Sequence, residues 1–253
     1  MAGNAIIELR GVRKSLGGQI VLDGLDLAVQ RSETLVIMGR SGAGKSVILK
    51  HVIGLMTPDE GEVYFDGRRL DTLSREQLQE VRKRMGMLFQ GAALFDSMSV
   101  EENVSLGLRK HTRLTDEEIE RVVAEKLAAV GLTGTGDKMP SELSGGMRKR
   151  VGLARAIAMD PEVILYDEPT TGLDPINADA IDNLIIDTRE KFGVTSLVVT
   201  HDVKSVLKIG TRVSLLDGGR IIFTGPASEI AHTDDPCLKQ FVEGRAEGPL
   251  KVH

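Results

Sequence analysis

The segment "GRSGAGKS", Gly39 to Ser46, fits the pattern G-x-x-x-x-G-K-[ST] of a loop that cradles phosphates. In such a loop, backbone N–H groups and the start of the next helix bind an anion. Lys45 adds a point charge for the β and γ phosphates, and the Ser46 hydroxyl can ligate Mg²⁺. The whole loop, Gly39, Arg40, Ser41, Gly42, Ala43, Gly44, Lys45 and Ser46, is therefore a candidate nucleotide site. "VILYDEP", Val163 to Pro169, reads as a buried strand ending in two adjacent carboxylates, and successive strand residues point in different directions. On that reading Asp167 faces a Mg²⁺ ion and Glu168 polarises the water that attacks the γ phosphate. "SLVVTHD", Ser196 to Asp202, is another apolar strand with a polar end. It places His201 at the carboxyl end of a strand, where α/β sheets bind ligands and where it could contact the γ phosphate.

Two further segments stand out. In "ELSGGMRKR", Glu142 to Arg150, Ser144 followed by Gly145 and Gly146 opens a helix that continues through Val151, Leu153, Ala154 and Ile157. That start is a second anion cradle in a chain with one phosphate loop, so it serves either a different ligand or a nucleotide held by another copy. "FQGAALFDSMSVEENV", Phe89 to Val104, reads as a loop that joins an uncharged amide, Gln90, to apolar Leu94, Phe95 and Met98. Aromatics are scarce in this chain, with six Phe, two Tyr and no Trp. An apolar loop there fits a docking surface, and the ordinary alternative is packing inside a helical subdomain.

These groups need a scaffold. From Ile6 to Val29 apolar and polar residues alternate, broken by Gly17-Gly18 and Asp23-Gly24, which predicts short antiparallel strands. Thr34 to Met38 is an apolar β-rich run, followed by the glycine-rich turn and a helix pattern at Val47, Ile48, His51, Val52 and Leu55. Two helices are expected between the strand candidates Met85–Phe89 and Val163–Tyr166. One starts at the capping box "TDEE", Thr115 to Glu118, and buries Ile119, Val122, Val123, Leu127 and Val130 on one stripe. Strands at Ser196–Thr200, Val213–Leu216 and Ile221–Phe223 complete an α/β fold: a mainly parallel sheet with an N-terminal antiparallel β layer and an inserted helical subdomain.

The 253 residues are 41% hydrophobic and 27% charged, enough for a sizeable core. With 32 basic and 37 acidic residues, net charge −5, nucleic acid is not an expected partner. The basic triplets at 82–84 and 148–150 read as solvated helix faces. A lone cysteine, Cys237, points to a reducing cytosol and an unremarkable half-buried thiol. "MAGNAIIELRG" is not expected to act as a signal peptide, and no apolar run approaches the ~20 residues of a membrane helix. Any link to a membrane is expected to go through another chain.

The order and identity of these motifs resemble the nucleotide-binding subunits of ABC transporters over nearly the whole chain, from "IIELRGVRKS" to at least "GGRIIFTG". By that resemblance "GRSGAGKS" is the Walker A loop and Gln90 the Q-loop glutamine, a further Mg²⁺ ligand. "LSGGM" is the signature, "VILYDE" the Walker B strand, "TGLD" with Asp174 the D-loop, and His201 the switch histidine. The resemblance implies ATP and Mg²⁺ as cofactors and a second copy of the chain as partner. The signature of each copy would close on phosphates bound by the other, which would occupy the unmatched cradle. Met147 stands where the signature usually has glutamine, and Leu16 stands near the position of the aromatic that usually stacks on adenine.

"ALFDSMSVEENV", "MPSELSGGMRKRVGLARAIAMDPEVILYDEPTTGLDPI" and the terminal "QFVEGRAEGPL" are similar to the ATPases of Mla-type lipid transporters, which serve MCE-domain proteins. This implies a peripheral protein on the cytoplasmic side of the inner membrane, docked to a permease near Leu94, Phe95 and Met98, with STAS-domain and MCE-domain subunits as companions. Residues 1–233 would form the ATPase domain, with a helical subdomain at about 91–160, and residues 234–253 a tail of little periodicity that contacts a neighbouring subunit. The competing readings are a soluble ABC ATPase of a non-transport complex, such as one for iron-sulfur cluster assembly, and an ABC ATPase for another substrate.

Overall fold

The computed structural model describes residues 5–250. Its first elements are strands β1 (Ala5–Leu16), β2 (Gln19–Gln30) and β3 (Thr34–Met38), helix α1 (Lys45–Val52), and strands β4 (Glu60–Phe65) and β5 (Arg68–Arg69). Then come helix α2 (Arg75–Lys83), strand β6 (Met85–Leu88), helices α3 (Val100–His111), α4 (Asp116–Ala129) and α5 (Gly145–Ile157), and strand β7 (Val163–Asp167). Helix α6 (Pro175–Phe192), strand β8 (Thr195–Thr200), helix α7 (Val203–Ile209), strands β9 (Arg212–Asp217) and β10 (Arg220–Pro226) and helix α8 (Pro236–Glu243) follow. The chain divides into two compact units, Met1–Leu78 with Leu197–His253, and Gln79–Ser196.

In the first unit β1 and β2 pair as one antiparallel hairpin about Gly17-Gly18, within a sheet ordered β2-β1-β4-β5. Asp23-Gly24 does not break this region as expected. Gly24 takes φ +68 inside β2, and the register slips between Val12↔Leu25 and Lys14↔Leu22. Glycine enters the left-handed region at little cost, so the extra residue becomes a bulge and the strand continues. A second sheet runs β10-β9-β3-β8, with β3 parallel to β9 and β10 antiparallel to it. Every residue of β3 and β8 is buried, including the hydroxyl residues Thr34, Thr195, Ser196 and Thr200 that flank their apolar centres, as in strands covered on both faces.

The tail expected to lack periodicity contains α8, capped by Asp235 and ended by Gly244 at φ +65. Its buried Gln240 side chain donates to the Leu250 carbonyl at 3.0 Å and accepts from the Leu250 N–H at 2.7 Å, folding the chain end back on the helix.

In the second unit β6 and β7 pair in parallel from Met85↔Val163 to Leu88↔Tyr166. Three α-helices, not two, lie between these strands and pack on one another. The additional helix, α3, begins inside the segment read as a loop. Ser99 Oγ accepts from Glu102 N at 3.2 Å and Glu102 Oε2 accepts from Ser99 N at 2.7 Å, a second capping box that ends the loop at Ser99. The Thr115–Glu118 box opens α4 as expected, and Ile119, Val123 and Leu127 are buried beneath it.

Candidate functional site

The phosphate loop leaves buried β3 and enters α1 through Gly44, whose φ of +101 belongs to glycine. A Cβ there would also approach Val21 Cγ1 to 3.0 Å, so the loop closes against β2 as well as bending sharply. Lys45 is buried, and its Nζ donates to the carbonyls of Gly39 at 2.7 Å and Arg40 at 3.0 Å. The loop thus holds its own cation over its mouth, where a phosphate can exchange for those carbonyls. Arg40 is held by Asp217 at 2.8 Å, and Ser46 is half-buried in the first turn of α1.

Beside this loop lies an open cleft of about 550 Å³, lined by Gln19, Ile20 and Val21, by loop residues 40–43, and by residues 217–219. Ile20 is 69% exposed in it, an aliphatic surface next to the phosphate cradle. Leu16 ends β1 with 39% exposure. His201 is exposed just beyond β8, which neighbours β3, and Asp202 caps α7 behind it.

In the second unit β7 ends at half-buried Asp167, and Glu168 lies one residue beyond the strand. The two carboxylates do not simply alternate across a pleat as expected. Glu168 takes φ +47, so the chain turns at this residue and the turn, not the strand, aims its side chain. Its Oε2 accepts from Thr171 Oγ1 at 3.1 Å, and its carbonyl accepts from Lys149 Nζ at 3.1 Å.

Lys149 corrects the reading of residues 148–150 as a solvated face. Arg148 is exposed, but Lys149 is buried and also donates to the Gln90 carbonyl. Burial lowers the pKa of its ammonium, opposed by the carboxylates of Asp167 and Glu168. Lys149, Gly152, Leu153 and Ala156 lie on one buried stripe at helical spacing, but Val151, Ala154 and Ile157 of α5 are buried as well, so spacing alone does not single out Lys149.

Ser144 caps α5, its Oγ accepting from Met147 N at 3.2 Å. A Cβ on Gly145 would meet only Leu173 Cδ2 at 3.6 Å, ordinary contact, whereas one on Gly146 would lie 2.9 Å from Asn177 Oδ1. Asp174 caps α6, accepting from Ile176 N, Asn177 N and Asn177 Nδ2, and these bonds lower its pKa.

Gln90 is exposed at the mouth of the loop that follows β6. Beyond it, Leu94 and Met98 are half-buried and Phe95 is 49% exposed. Asn103, fully buried in α3, ties this loop down from the carbonyls of Phe95, Met98 and Ser99, a role the sequence reading missed. Among the described residues no helix is long and apolar enough to cross a membrane.

A family model described as ABC transporter matches residues 22–171. The intermembrane phospholipid transport system ATP-binding protein MlaF of Haemophilus influenzae is 43% identical over 97% of this chain and 93% of its own length; MlaF of Escherichia coli K12 is 43% identical over 97% and 91%. A Mycobacterium tuberculosis protein named "Probable ribonucleotide transport ATP-binding protein mkl" is 41% identical over 96% of this chain and 68% of its own. Among solved structures, an ATP-binding cassette captured as a dimer after hydrolysis, with ADP and Pi bound, matches with TM-score 0.81 and 33% identity, over 87% of this chain and 98% of that one.

Proposed function

The chain belongs to the ABC transporter family as an ATP-binding and ATP-hydrolysing cassette, and we propose that it drives phospholipid movement between membranes of a bacterial envelope through a separate permease. The observation that carries the nucleotide chemistry is the phosphate loop, with Lys45 Nζ held over it by the loop's own carbonyls. What supports the cargo is likeness to two MlaF proteins over nearly the full length of both chains.

In this reading Lys45 and the loop amides bind the β and γ phosphates, and Glu168 polarises the attacking water. His201 contacts the γ phosphate. Two copies sandwich ATP, with Ser144, Gly145, Gly146 and Asp174 of one copy facing the nucleotide of the other. Mg²⁺ fits the donor set, because the Ser46 hydroxyl, the Gln90 amide and the Asp167 carboxylate are all oxygen ligands. In this reading the nucleotide phosphates would supply the further oxygen ligands that Mg²⁺ prefers. When bound, the ion would neutralise phosphate charge.

The chain would sit peripherally on the cytoplasmic side of the inner membrane, with Leu94, Phe95 and Met98 against the permease and the tail after residue 233 against a neighbouring subunit. STAS-domain and MCE-domain subunits would complete the assembly. The test is to purify the chain with its co-expressed membrane partner and measure ATP-dependent transfer of labelled phospholipid between vesicles, with Glu168→Gln as control. Co-purification without any polytopic subunit, or ATP-driven movement of a ribonucleotide in place of lipid, would overturn the cargo assignment.

A further inference from the structure

Helix α5 carries two cations that turn onto the backbone of loops far from it in sequence. Buried Lys149 donates to the carbonyls of Gln90 and Glu168. Further along the same helix, Arg155 donates from Nη1 to Ala93 O and from Nη2 to Ala92 O, each at 2.7 Å. Three of the four residues whose carbonyls receive these bonds are in a conformation non-glycine residues rarely adopt: φ is +60 at Ala92, +48 at Ala93 and +47 at Glu168. Such strain persists only where the surroundings over-determine it, and charge-assisted hydrogen bonds from cations with little access to water are strong restraints.

The helix comes this close because two side chains are missing. A Cβ on Gly152 would lie 2.8 Å from Leu88 Cδ1 and 3.3 Å from Ala92 Cβ, and one on Gly86 would lie 2.2 Å from the Ala156 carbonyl. Small residues, strained loops, buried Lys149 and half-buried Arg155 therefore converge on one contact within the second unit.

We infer that α5 is a clamp that holds the Gln90–Ala93 loop and the Glu168 turn in one arrangement, with Lys149 the positioning residue for the catalytic carboxylate. The inference rests on the reading of Glu168 as the base for the attacking water. Lys149 acts through the Glu168 backbone. Without its ammonium, two carbonyls lose their shared donor and Glu168 is free to relax toward right-handed φ, carrying its carboxylate off the water. Because the same ammonium holds Gln90, displacement of one loop is felt by the other.

The test is steady-state ATP hydrolysis by Lys149→Met, which keeps the stem and removes every donor. A positioning role predicts that kcat falls about tenfold or more while KM for ATP stays within about twofold, since the phosphate loop is untouched. Lys149→Gln, which retains an amide donor too short to reach both carbonyls, should fall between parent and Met. Amide exchange on the parent protein needs no variant: peptides covering residues 89–95 and 167–173 should open together, with protection within about tenfold of each other. Turnover within about twofold of the parent in folded Lys149→Met, a Lys149→Gln enzyme slower than Lys149→Met, or unrelated exchange of the two peptides, would overturn the clamp. If the ATPase reading itself fails, the parent shows no more phosphate release than Glu168→Gln, which is a different outcome from an active parent and an active Lys149→Met.

Discussion

Asn103 grips Phe95 from both sides of its peptide: the side-chain Oδ1 accepts from Phe95 N at 2.8 Å and Nδ2 donates to Phe95 O at 3.1 Å. A buried amide therefore fixes the backbone of a residue whose ring is half exposed. Exposure on a pinned loop is the arrangement of an interface anchor, so Phe95→Ala should weaken association with the membrane partner by about 1 to 3 kcal/mol. The free subunit should keep its stability to within about 0.5 kcal/mol, as surface substitutions do. Thermal unfolding of the free subunit, set against co-purification with the permease, decides it. A collapse in stability with normal assembly of the folded remainder would make Phe95 a core residue.

Asn103→Ala should act the opposite way. It strips partners from the Phe95, Met98 and Ser99 backbone groups and should cost about 1 to 3 kcal/mol of folding stability, measured by urea unfolding. Stability equal to the parent would mean that water replaces the amide freely.

Glu168→Gln keeps the shape of the side chain and its reach to Thr171, and removes the base. ATP binding should persist and turnover should drop about a hundredfold or more, with a closed dimer accumulating in ATP on size-exclusion chromatography. Hydrolysis within a few-fold of the parent would assign the base elsewhere.

Gly145 has room for a Cβ within its own chain, so intolerance there must come from what approaches the open start of α5. Gly145→Glu should bind ATP as the isolated subunit yet fail to dimerise, because a carboxylate replaces open space where phosphate is expected. Mixed with Lys45→Ala, it should form ATP-dependent heterodimers with one intact site. Absence of any association in the mixture would argue against a site shared between copies.

His51 is buried in α1 with Nδ1 against the Val47 carbonyl, and burial lowers its pKa below the ordinary 6.5. The unfolded chain then takes up the proton first, so the contribution of this residue is fully present above about pH 6.5 and is lost as pH falls below it. His51→Gln should therefore show a smaller drop in melting temperature between pH 7.5 and 5.5 than the parent, with other titrating groups common to both. Equal drops would remove His51 from the acid response.

The phosphate loop, the carboxylate-ended strand and the Thr115 capping box were legible because each depends on residues within one turn or strand of one another. Gly44 must bend, Lys45 must follow it, and Thr115 meets Glu118 across its own first turn; no distant neighbour is needed. The Ser99–Glu102 box was equally local, and "SVEE" could have placed α3. Other features were decided only by packing. Nothing near Lys149 in sequence says that it is buried while Arg148 is exposed, since the stripe of α5 that turns inward is set by Leu88 and Ala92 pressing on Gly152. Nor does "DEP" announce that Glu168 adopts left-handed φ, a state held by Lys149 on another element. Local hydrogen bonding and backbone sterics are written in consecutive residues. The direction a side chain faces, and the strain a turn can keep, follow from what the rest of the chain brings against it.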